Sequence, residues 1–359
     1  VYGDPLAYKA SWESVVQIMD KEACERTRKL ADNAMWFEQN APIDERFKKN
    51  EVVGITARVV QAAMLGGDCH PATPIGINLP NAEWIRERYG SKSVTLDNIT
   101  YAYDRVSLNS GILDEFAYSD EEKELVRTYG YVGGNVHTDL HECLGHGSGK
   151  MLPGVGQEAL KNYYSTIEEA RADLFALYYV MDPKLVELGV IPSLDVAKSE
   201  YCNYIRNGLM VQLTRVKLGN NLEESHMRNR QLIASWVYEK GKETNVIERV
   251  SRDGKTYFTI RDYEALRKLF GKLLAEVQRV KSEGDFVGAR NLIENYGVRI
   301  DPVLHQEVLE RYQKLNVAPY AGFVNPRYRL MEEEGVVVDV KIEYPTDFLA
   351  QMLEYGNNK

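Results

Sequence analysis

The strongest constraint on the fold is a helical rhythm sustained through long segments that lack internal proline. Apolar residues recur at three-and-four spacing, which places them on one face of a helix. The pattern predicts helices over 11–37, 50–65, 120–147, 157–181, 193–219, 223–241, 261–282, 286–296 and 302–315. Strand signals are few. In VIERVSRDGKTYFTI (246–260), Asp253-Gly254 separates two alternating runs, the signature of a hairpin. GVVVDVKIEY (335–344) reads as one more strand. Two stretches interrupt the rhythm, 66–81 and 317–329, and read as loops or crossings between lobes. The fold class is therefore mainly α.

With 359 residues the chain exceeds what one core usually holds, so two lobes are expected. Its 44 Lys+Arg against 53 Asp+Glu give a net charge of −9, without the basic runs that nucleic-acid binding needs. No nucleic-acid partner is expected. No stretch is apolar and long enough to predict a membrane span, and 1–10 has no secretory pattern. Four dispersed cysteines (Cys24, Cys69, Cys143, Cys202) contain no C-x-x-C, which predicts a reducing, cytoplasmic location. The opening at Val1, without Met, reads as the middle of a segment, so a missing upstream part is expected.

The chemistry concentrates at HECLGH, 141–146. Zinc-binding helices usually carry histidines at i and i+4, about 40° apart, with a glutamate beside them. Here the spacing is i+5, and on a regular helix the two side chains would diverge by about 140°. Joint ligation therefore requires a one-residue bulge, an i→i+5 turn. Gly145 is the residue type expected to tolerate it. Cys143 reads as a buried non-ligand.

A hydrolytic zinc also needs a third protein ligand and a position left for water. The segment IEEARAD (167–173) follows on what reads as an amphipathic helix. One of Glu168, Glu169 and Asp173 can ligate, while the others accept the outer N–H groups of the imidazoles. Arg171 and Asp173 also suit a surface pair.

HECLGH followed by EEARAD resembles the two signatures, HExxGH and EExR/KA(E/D), of the dipeptidyl peptidase III family of zinc aminopeptidases. GINLPN (76–81), HGSGK (146–150), HMRNR (226–230) and VYGDP (1–5) are similar to further family blocks in the same order. The resemblance implies one Zn2+ per chain on His141, His146 and Glu169, with Glu142 as general base acting on the metal's water. It implies Glu168 and Asp173 as partners of the ligand histidines, and Tyr2 and His226 as groups that polarise the scissile carbonyl. Asn78, Asn81 and Arg230 would bind an oligopeptide substrate. Tyr320 and Ala321 stand where the family has a basic pair, a departure from its pattern.

The implied fold is a zincin-like helical zinc lobe, 21–61 and 108–315, with 1–20, 62–107 and 316–359 as parts of an incomplete second lobe that lines the cleft. An N-terminal lobe upstream would be missing. The implied activity is release of dipeptides from peptide amino ends. Two rivals stand beside it: a generic zinc endopeptidase, and a catalytically impaired helical binding module that keeps a zinc.

Overall fold

A computed structural model describes residues 13–52, 56–67, 76–79, 92–317, 324–343 and 345–357. In chain order the elements are β1 (Glu13–Met19), α1 (Lys21–Asp32), α2 (Ala34–Asn40), β2 (Thr56–Gly67), β3 (Gly76–Leu79), β4 (Lys92–Leu96), α3 (Asp97–Asn109), α4 (Ile112–Phe116) and α5 (Asp120–Leu140). They continue with α6 (Tyr164–Val180), α7 (Pro183–Glu187), α8 (Asp195–Leu209), α9 (Ser225–Lys240), β5 (Ile247–Arg252), β6 (Lys255–Ile260) and α10 (Tyr263–Glu283). The last are α11 (Phe286–Tyr296), α12 (Pro302–Leu315), β7 (Arg327–Glu333), β8 (Val336–Glu343) and α13 (Phe348–Asn357). The fold is mainly α, with a few strands.

The chain divides into two compact units. One holds the described residues of Val1–Glu25, Ala57–Ser107 and Ala318–Lys359; the other is Arg26–Thr56 with Leu108–Val317. In the first unit a four-stranded sheet has the order β1-β2-β4-β3. Val60, Ala62 and Leu65 of β2 pack with Leu96 and Ile99 around its core. A hairpin, β7-β8, lies in the same unit.

Three expectations are corrected here. The helix expected over 50–65 is, from Thr56 on, a strand: the alanine-rich run suits a helix in isolation, but 56–67 pairs antiparallel with β1 and buries Val59, Val60, Ala62 and Leu65. The helix expected over 11–37 is β1 followed by α1 and α2. Strand β7 lies partly within 317–329, which reads as a loop by composition, and its turn at Glu334-Gly335 has positive φ at both residues. The Asp253-Gly254 hairpin forms as its turn chemistry demands, with φ of 54° and 74°.

Helix ends in the second unit follow capping rules. Asp262 accepts from Ala265 N at 2.8 Å to start α10, and Gly284, at φ +66°, ends it. Asp301, with Pro302 behind it, starts α12. Ser119 caps α5, and Gly133 within α5 lets the backbone of α8 approach, since a Cβ there would meet Val196 O at 3.2 Å.

Helix α6 is not amphipathic as its sequence suggests. From Thr166 to Val180 nearly every residue is buried, and the helix packs against α5, α9 and α10. Its polar residues therefore lie in the interior, where each needs a partner. Among the described residues no helix is long and apolar enough to cross a membrane. Because Leu177 is fully buried on this central helix, Leu177→Ala is expected to lower stability by about 2–5 kcal/mol. Urea unfolding of the two proteins measures the difference.

Candidate metal centre

Helix α5 runs without a break into a single π turn, His141–Gly145. The His146 N–H bonds back to His141 O at 3.0 Å, the i→i+5 bond that the five-residue spacing requires. The extra residue cancels most of the angular divergence. The two imidazoles meet edge to face, with ring centroids 4.6 Å apart at 87°.

Gly145 serves this turn differently from the expectation. Its φ is not positive; a Cβ there would lie 2.9 Å from Ala172 Cα and O, so glycine is needed for the turn to pack on α6. The carbonyls left open beyond the turn are taken by cations, as a helix C-terminus favours. Arg171 donates to Ser148 O at 3.0 Å and to His146 O at 3.3 Å, and Lys49 Nζ reaches Gly147 O at 2.5 Å.

Each imidazole has its outer nitrogen occupied from α6. His141 Nδ1 is 2.7 Å from Asp173 Oδ1, and His146 Nδ1 is 2.9 Å from Glu168 Oε1. With the proton on Nδ1, the Nε2 of each ring carries a lone pair. Both Nε2 atoms turn toward Glu169 Oε2, at 3.3 Å for His141 and 4.0 Å for His146. That oxygen is buried and accepts no hydrogen bond. His141, Glu142 and His146 also offer donor atoms within 4.8 Å of one another, but Glu142 is half-buried while Glu169 Oε2 is closed off from water. Two nitrogen lone pairs and an orphaned carboxylate oxygen fit a divalent cation that accepts N and O ligands.

The supporting carboxylates stay ionised in the interior. Burial works against the charge of Glu168, yet Arg171, Lys281 and the His146 hydrogen bond hold its carboxyl well below the usual range. Arg171 is fully buried and forks onto Glu168 at 3.0 and 2.7 Å, while Lys281 Nζ lies 2.5 Å from Glu168 Oε2. Arg171 is thus no surface partner of Asp173. Burial likewise opposes the charge of Asp173, but the hydrogen bonds of His137 and His141 keep its carboxyl well below the usual range. Burial pulls His141 down, and Asp173 and Glu169 outweigh it, pushing it up to about 10 without a cation. A metal held by His141 would take the place of that proton.

Among the other expected site residues, His226 begins α9 and points Nδ1 to within 3.5 Å of Glu169 Oε2; its side chain is 59% exposed. Arg230, one turn further along α9, donates to Gln212 Oε1 at 3.4 Å. The Asn78 backbone lies in β3 opposite Ser93. Its side chain, and Tyr2, Asn81, Tyr320 and Ala321, lie outside the described residues.

The sequence pattern of peptidase family M49 matches residues 1–160 and 154–311. The chain belongs to peptidase family M49. A human relative, dipeptidyl peptidase 3, is 26% identical over 400 aligned positions, which cover 96% of this chain and 53% of that protein. The structure of DPP III from Caldithrix abyssi superposes with a TM-score of 0.70 at 26% identity, over 86% of this chain and 56% of that one. The dipeptidyl-peptidase III of Corallococcus sp. strain EGB shares the fold, with a TM-score of 0.65 at 23% identity over 86% of this chain and 54% of that one. This M49 chain spans about half the length of the relatives it matches.

The structure adds residues that the motifs do not mark. His137, Tyr204 and Asn229 gather on Asp173, and Lys281 on Glu168. His137 stands four residues before His141, a helical neighbour visible in the sequence; Lys281 has no local signal. In this M49 chain Gly145→Ala is expected to cost about 1–3 kcal/mol by pushing the π turn off α6. Urea denaturation of the metal-free protein reads it.

Proposed function

We propose that the chain carries the zinc centre of a peptidase that releases dipeptides from the amino end of oligopeptides. The observation that carries this reading is Glu169 Oε2, buried and without a hydrogen bond, facing the two Nε2 atoms that Asp173 and Glu168 orient. His141, His146 and Glu169 would hold one Zn2+. The helical unit would be the zinc lobe, and 1–20, 62–107 and 316–359 parts of a second lobe. Release of dipeptides is what the relatives' names say of those proteins.

Zinc, when bound, supplies a Lewis acid that lowers the pKa of water to about 7 and polarises a carbonyl. Glu142, beside His141 in the π turn and half-buried, accepts the proton of the attacking water and passes it to the leaving amine. Its carboxylate is within reach of both ligand histidines, as a base next to the metal must be. His226, exposed at the mouth of the site, donates to the carbonyl oxygen as negative charge develops there, with Tyr2 as a second donor. Asn78, Asn81 and Arg230 hold the peptide.

Glu142→Ala is expected to retain one zinc per chain and lose turnover by about 10²- to 10⁴-fold. Elemental analysis paired with release of dipeptides from oligopeptides tests both halves; undiminished turnover removes Glu142 as the base. Acylating the amino end of the peptide is expected to abolish cleavage. Cleavage that continues unchanged makes the protein an endopeptidase instead.

A further inference from the structure

His137 occupies the last turn of α5, and its side chain is only 12% exposed. Its Nε2 lies 3.1 Å from Asp173 Oδ1, the same oxygen that faces His141 Nδ1 at 2.7 Å. Its Nδ1 lies 3.0 Å from Glu200 Oε1 on α8. The ring stacks on Tyr204, with centroids 5.6 Å apart at 18°. Tyr204 in turn donates its hydroxyl to Asp173 Oδ2 at 2.7 Å, and Asn229 Nδ2 joins it at 3.1 Å. One buried carboxylate is thus held by groups from α5, the π turn, α8 and α9.

Nε2 is within hydrogen-bond distance of Asp173 Oδ1, while Nδ1 is buried and approaches Glu200 Oε1 at 3.0 Å without an aligned hydrogen bond. His137 therefore lies between two buried acidic side chains, Asp173 and Glu200. The donor atoms of His137, His141 and Asp173 lie within 4.8 Å of one another, and both rings meet Asp173 Oδ1 at hydrogen-bond distances. Without His137, Asp173 would keep the Tyr204 hydroxyl as its link to α8 but lose the imidazole that stands between it and Glu200.

We propose that His137 is a positioning residue of the metal centre, tying Asp173 to Glu200 and so fixing the ring through which His141 offers Nε2. The proposal rests on the zinc reading above. It is tested by Zn2+ affinity, measured by competition with a chromogenic chelator, in the protein and in its His137→Phe, His137→Gln and His137→Phe/Glu200→Gln variants. Phenylalanine keeps a flat ring against Tyr204 but has neither nitrogen, so a purely packing role would survive it.

His137→Phe is expected to weaken Zn2+ binding by about 10- to 100-fold. His137→Gln, with one side of the tie, should weaken it by less. The double variant should recover part of the loss, since Glu200 no longer leaves a buried charge unpaired. The visible spectrum of the Co2+-loaded protein should shift in His137→Phe, a change that loss of stability alone would not produce. A folded variant, Phe or Gln at this position, that binds Zn2+ and gives the Co2+ spectrum of the parent overturns the proposal. A parent that binds no Zn2+ overturns the zinc reading itself, and the role of His137 with it.

Discussion

The site depends on two ionised carboxylates, Glu168 and Asp173, kept in the interior of a helix buried nearly all round. Removing such groups from water is costly unless every oxygen is met. Glu168 is met by Arg171, Lys281 and His146; Asp173 by His137, His141, Tyr204 and Asn229. The contrast with Glu169 between them is informative. Its neighbours in sequence are saturated, while its own Oε2 is buried without a hydrogen bond. Desolvation that is balanced at two positions and unbalanced at the third marks where a cation belongs.

The two carboxylates are neutralised differently. Glu168 faces a guanidinium and an amine, Arg171 and Lys281, whereas Asp173 is met by imidazoles and neutral donors. Burial and the nearby Arg171 bring Lys281 down to about 8 despite its contact with Glu168. The His146 side is therefore the more heavily charged, and it also anchors the loop after the π turn through Arg171. One guanidinium thus links ligand orientation to backbone closure.

Much of this was legible in the residues. The interval between His141 and His146 demanded a widened turn, because no regular helix brings them together, and the π turn is there. Aspartate starts α10, α11 and α12, and glycine ends the first two and Asn316 the third, because capping is local chemistry. Strand β2 was not legible, since Ala62, Ala63 and Met64 favour helix and only pairing with β1 and β4 decides otherwise. The burial of α6 was hidden for a related reason: its charged residues imply a solvated face unless the partners from α5, α9 and α10 are known. Asn78, Asn81 and Tyr2 were singled out by resemblance alone, and no described contact bears on their side chains.

The spacing of partners along the chain has a kinetic side. His146 and Glu168 are 22 residues apart, and His141 and Asp173 are 32 apart. Lys281 joins Glu168 across 113 residues. Short loops close at lower entropic cost, so the histidine–carboxylate pairs can meet through the local hairpin of α5 and α6 before α10 docks. During that interval Glu168 would have Arg171 as its only full cation of the two seen in the folded chain. Arg171, three residues away on the same helix, is the cation that needs no long-range search.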